Sequence, residues 1–217
     1  STGRDGGQGL GRPSEGWLNI RQDVRRLIGA RAIAFYDLTL PVPQSTVDGY
    51  QAAMQQPGWG DPLSSNGVVK FMPMAGGRPD IGITTIPATH WLLTQDATVA
   101  AYAMGWAEAG GAVPWRYWDA ANGTWLNAGN YPILWNQPRG GTQPTGSPGD
   151  PNSQGPTQFM QWGAPDDWAP QAAHQPDLSF VPYLLTGERW ILDNLQAQAA
   201  WNTLFNWPGE GDTERNN

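Results

Sequence analysis

The chain has 217 residues, enough for one substantial core or a smaller core with long loops, and only 14% of them are charged. Twelve basic against nineteen acidic residues give a net charge of −7, a field that repels nucleic acid and anionic membrane surfaces. The absence of Cys excludes disulfides, thiolate metal sites and a cysteine nucleophile, and no apolar run approaches the roughly 20 residues that span a bilayer.

Taken in order, residues 1–14 read as a flexible, Gly-rich lead without a signal-peptide pattern, followed by a single domain over 15–207. A helix is expected from Glu15 to Ala30, with Leu18, Val24 and Leu27 apolar and Arg21, Arg25 and Arg26 outside. Ala32 to Val42 reads as a strand around Ile33-Ala34-Phe35-Tyr36, and Val68 to Met72 as a second. Between them, Ser45 with Asp48 three residues on marks the start of a short helix to Gln55. Pro87 to Thr94 precedes a helix opened by Asp96, in which Val99, Tyr102, Ala103 and Trp106 share one face and Gly110-Gly111 are expected to stop it. Val113–Trp118 and Thr124–Leu126 read as a β-hairpin about Asn122-Gly123. Residues 136–171 form a long insertion rich in Pro, Gly, Gln and Thr. A short helix then ends at Thr186, Gly187 turns, and a longer helix runs from Glu188 to about Asn206, before a polar tail over 208–217.

Two segments share one plan: a Pro-Asp, an apolar short helix, Leu-Leu-Thr, a small turn with an acid, and a long amphipathic helix carrying Trp. They are Pro79-Asp80, Leu92-Leu93-Thr94-Gln95-Asp96 and Trp106, then Pro176-Asp177, Leu184-Leu185-Thr186-Gly187-Glu188 and Trp201. Each copy is a helical hairpin, over about 78–110 and 174–207, and one such hairpin cannot bury its own apolar face. Arg78-Pro79-Asp80-Ile81-Gly82 and His174-Gln175-Pro176-Asp177-Leu178 through Tyr183-Leu184-Leu185-Thr186-Gly187-Glu188 resemble hairpins of the six-hairpin, glycosidase-like (α/α) toroid proteins. They are most similar to large bacterial and phage-associated members. The resemblance covers roughly Gly77 to Trp207 and matches no catalytic signature. It implies a mainly α fold of toroid-type hairpins with short β-hairpin insertions and long Pro/Gly-rich loops. Only part of a toroid is present, so other hairpins would come from a longer chain or from partner subunits.

Glycoside hydrolysis uses two carboxylates across a sugar, and Asp80 and Asp177 hold equivalent positions at the hairpin mouths where toroid proteins present their clefts. The same Pro-Asp pattern also reads as a helix cap. A His with Tyr183 or Tyr102, His174 with Tyr183 foremost, offers an acid–base pair for β-elimination of a uronic sugar, with Arg78 neutralising the substrate carboxylate. His90, inside a helix and next to Trp91, reads as a packed residue. Thirteen Trp is several times an ordinary share; most should fill core, while Trp115, Trp118, Trp162 and Trp168 are candidates for stacking on sugar. Two His without Cys give no metal site, and no cofactor motif is present. Two functions follow as expectations. One is a glycoside hydrolase or polysaccharide lyase module; the other is a non-catalytic, glycan-contacting subunit of an extracellular, periplasmic, cell-surface or virion assembly.

Overall fold

The computed structural model describes residues 22–72, 77–82, 84–116, 118–119, 122–125, 168, 170 and 174–205. The lead over 1–14, most of the insertion over 136–171 and the tail over 208–217 lie outside them. The described residues are mainly helical, with α1 (Val24–Gly29), α2 (Gln44–Met54), α3 (Ile86–Thr94), α4 (Ala97–Ala112), α5 (Phe180–Thr186) and α6 (Arg189–Phe205). A two-residue antiparallel pair, β1 (Trp118–Asp119) and β2 (Thr124–Trp125), is the sheet they contain.

The chain forms two compact units. The first comprises Ser1–Val68, Arg78–Ala112 and Pro176–Leu192; the second comprises Val69–Gly77, Val113–Gln175 and Asp193–Asn217. In the first unit α4 is the hub. It packs against α2, α3 and α5, and ten of its residues, from Val99 to Gly110, are buried. A helix that is apolar all round must be surrounded. Around it gather Trp91 and Leu92 of α3, Val181 and Leu185 of α5, and Ile191, each removing apolar surface at about 1.5–3 kcal/mol per large side chain. The second unit has its own core, in which Trp115 meets Trp201 edge-on at 5.3 Å beside Met72, Val113 and Ala197.

The repeated elbow forms twice in one geometry. The Thr94 hydroxyl donates to the His90 carbonyl (2.8 Å) and accepts from the Asp96 N–H (3.1 Å). The Thr186 hydroxyl donates to the Pro182 carbonyl (2.7 Å) and accepts from the Glu188 N–H (3.2 Å). Gln95 and Gly187 then close α3 and α5 in the left-handed region, at φ 52° and 70°, each N–H reaching the carbonyl four residues back. Asp96 caps α4 through the N–H groups of Thr98 and Val99 at 2.8 and 3.1 Å, as the sequence leads one to expect.

Several elements differ from expectation. The strand expected over Ala32–Val42 is irregular coil: Ile33, Tyr36 and Leu38 enter the first core, while Asp37 folds back on the Thr39 N–H and hydroxyl. Val68–Met72 makes a single bridging residue at Phe71 rather than a strand. Described residues of the first helix begin it at Val24, behind an Asp23 cap, and α2 starts at Gln44 after Pro43, leaving Ser45 inside the helix rather than capping it. Gly110 and Gly111 do not stop α4. Gly110 is instead a close-packing position, where a Cβ would stand 3.4 Å from Leu178.

Candidate functional site

Asp80 lies in the loop before α3 and does not cap it; Thr85 does, through its hydroxyl to the Ala88 N–H. Its carboxylate takes two hydrogen bonds from Arg78, Nε to Oδ1 at 2.8 Å and Nη2 to Oδ2 at 2.9 Å. The two side chains are only 1% and 6% exposed, so Arg78 and Asp80 form a buried bidentate pair. The pair is turned away from solvent, each charge met by the other. Asp177 behaves differently. It accepts from the N–H groups of Ser179 (3.1 Å) and Phe180 (2.9 Å), capping α5 from three residues ahead of its first residue, while burial pushes its carboxyl above the ordinary value against those two bonds. Each acid is committed to a local partner.

Tyr183 is half-buried against the first core, and its carbonyl receives the Gly187 N–H that closes α5. His174 is half-buried in the second unit. Among the four tryptophans, Trp115 is core, Trp168 packs partly buried against the same cluster with Lys70 Nζ 6.0 Å from its ring, and Trp162 lies outside the described residues. Trp118 is the exception. It pairs across the hairpin with Trp125, their rings 5.5 Å apart and at 90°, and they remain 59% and 58% exposed. Gly123 at φ 63° makes the turn, and Asp119, buried beneath, accepts from both the backbone and side-chain N–H groups of Asn122 (3.3 and 2.8 Å). Two flat indole faces thus meet as a right-angled corner in water, on a turn fixed from below.

A second aromatic constellation escaped sequence reasoning. Tyr50 of α2, His90 of α3, Tyr102 and Trp106 of α4, and Trp59 of the loop after α2 converge in the first unit. The Tyr50 hydroxyl and His90 Nδ1 are 2.7 Å apart. Burial and the neighbouring Tyr102 push the Tyr50 phenol up to about 12, and burial pushes the Tyr102 phenol up and the His90 imidazole down. All three are therefore neutral near pH 7, which makes them polar contacts rather than a poised acid and base. The Trp106 N–H stands beside the Tyr102 oxygen and lowers that phenol against the larger effect of burial, yet forms no regular hydrogen bond and has no other acceptor. The sequence signal was Tyr102 and Trp106 at helical spacing; Tyr50 and Trp59, 52 and 43 residues before Tyr102, carry no local mark of their arrival.

Among the described residues no group of three His, Asp or Glu side chains is arranged to hold a metal ion, and no helix is long and apolar enough to cross a membrane. The chain matches no protein-family model, no curated protein and no solved structure.

Proposed function

We propose that this chain is a carbohydrate-contacting helical module, built on the (α/α) toroid plan, that holds a glycan without cleaving it as a subunit of an extracellular, periplasmic, cell-surface or virion assembly. The reading rests on the Trp118–Trp125 corner. Large aromatic rings left more than half in water are costly unless a partner covers them, and an indole face accepts the C–H face of a pyranose while its N–H remains free for a hydroxyl. Two perpendicular faces would cradle one sugar from below and from the side. The net charge of −7 disfavours anionic polymers and suits a neutral polysaccharide.

The catalytic alternative, a glycoside hydrolase or polysaccharide lyase, draws support from Asp177 alone, whose raised carboxyl pKa resembles that of a general acid. Hydrolysis needs a second carboxylate facing the first across the sugar, and Asp80 is closed off by Arg78.

Affinity electrophoresis through gels containing neutral β-glucan, xylan or glycol chitin tests the binding. One of these should retard the chain, and Trp118→Ala or Trp125→Ala should weaken retardation about tenfold, the effect of losing one stacked ring of roughly 1–3 kcal/mol. Retardation unchanged in both variants sinks the hairpin as the contact. Release of reducing ends or unsaturated products that Asp177→Asn abolishes would replace the non-catalytic reading with the enzymatic one.

A further inference from the structure

The loop between α2 and Val68 crosses the second aromatic constellation. Trp59 lies nearly parallel on Tyr102, ring centroids 4.9 Å apart at 24°. Its edge enters a notch at Gly105, where a Cβ would come within 2.6 Å of the indole. Asn66 pins the far side, its amide donating to the Gly105 carbonyl at 2.7 Å and its oxygen accepting from the Gly60 N–H at 2.8 Å. Gly67, at φ 81°, then passes over the Tyr102 hydroxyl and the Trp106 N–H, which a Cβ would meet at 3.7 and 4.0 Å. The crossing segment is built of short turns rather than a ladder, each N–H reaching back three residues at Trp59, Asp61, Ser64 and Val68. Gly58, Gly60, Leu63, Asn66 and Gly67 all take left-handed backbone, Leu63 with a side chain that disfavours it.

We propose that residues 56–68 form a strap over a second ligand site, and that Trp59 occupies the place a neutral pyranose ring takes when the strap lifts. What the strap covers has the composition of a sugar subsite. Tyr102 offers a flat face, Trp106 a buried N–H beside the Tyr102 oxygen that makes no regular hydrogen bond, and Tyr50 a hydroxyl that shares its proton with His90. The groups that converge there are phenols, indoles and an imidazole, with no carboxylate, ammonium or guanidinium among them, which suits an uncharged ligand. Trp59 supplies the stacking half of a sugar's contacts but not the polar half, and Gly67 brings no side chain to the two polar tips. The site is independent of the hairpin corner.

Isothermal titration with cellohexaose, xylohexaose and chitohexaose tests this on the whole chain. A closed strap reduces apparent affinity by the fraction of molecules that are open, so Trp59→Ala and Asn66→Ala should each tighten binding of at least one probe roughly tenfold. Adding Trp106→Phe to Trp59→Ala should return affinity to the wild-type value, while adding Trp118→Ala should leave the gain intact and so separates this site from the hairpin. The proposal is overturned by either variant showing wild-type helical circular dichroism without any gain, or by a gain that survives Trp106→Phe. Should Trp59→Ala unfold, Asn66→Ala decides; loss of helical signal in both would make the strap part of the core and equally overturn it.

Discussion

Asp80 holds Arg78 through two short hydrogen bonds with both side chains almost out of water, and Asp177 holds two backbone N–H groups at the mouth of α5. Removing one partner of a buried pair is expensive, so Asp80→Asn should lower stability by about 3 kcal/mol or more in urea unfolding. Asp177→Asn should do the opposite at neutral pH. Its folded carboxyl is raised, so the stability it contributes is fully present below the unfolded value near 3.8 and is lost as pH rises through the folded value. An amide oxygen keeps both caps without that loss. Melting temperatures of wild type should therefore fall relative to Asp177→Asn between pH 3 and neutrality, and parallel curves would refute the account. His90 runs the other way: its folded pKa lies below 6.5, so unfolding takes up a proton and stability declines as pH falls through that value. The Arg78–Asp80 pair was legible as an Arg-Pro-Asp string of opposite charges two residues apart, yet the string itself does not say whether the charges face a ligand or each other. Burial decided it, and burial is a property of the folded neighbourhood.

Among elements, the local signals carried furthest. Leu-Leu-Thr followed by a turn residue and an acid specifies a hydroxyl that closes one helix and receives the first N–H beyond it, and this happens identically at Thr94 and Thr186. Thr94→Val and Thr186→Val should each cost about 1 kcal/mol for the net loss of those bonds, and by similar amounts; a large inequality in chemical denaturation would argue against equivalent elbows. Gly187→Ala should cost about a further 1 kcal/mol because φ 70° crowds a Cβ, whereas Gln95 tolerates φ 52° while its amide accepts from the Gln22 N–H and donates to the Trp91 carbonyl. The strand expected at Ile33–Tyr36 failed for a reason of range. An extended apolar run needs a ladder partner, and none is encoded locally, so these side chains entered a helical core one by one while the backbone turned at Arg31 and Asp37. The entries to the two hairpins also diverge, since Asp80 pairs with Arg78 and Asp177 caps.

At the scale of the molecule, the net charge of −7 bears on the proposal of a neutral glycan partner. The glycan affinity proposed for the hairpin should change by less than about twofold between 50 and 500 mM NaCl, because screening touches only charged contacts. A steep fall with salt would point to a polyanion and against stacking. Mainly helical architecture was readable from periodicity, and the two interleaved units were not, because each is assembled from three separated stretches of chain. That interleaving weighs most on α4. Ten of its sixteen positions are buried, and a stripe through Ala101, Glu108 and Gly111 reaches water; α3 emerges from the ribosome just before it, but Leu178, Val181 and Leu185 follow only after more than sixty further residues. At roughly 5–20 residues per second the nascent helix waits several seconds half-dressed, and that interval is when a chaperone has most to gain from this chain.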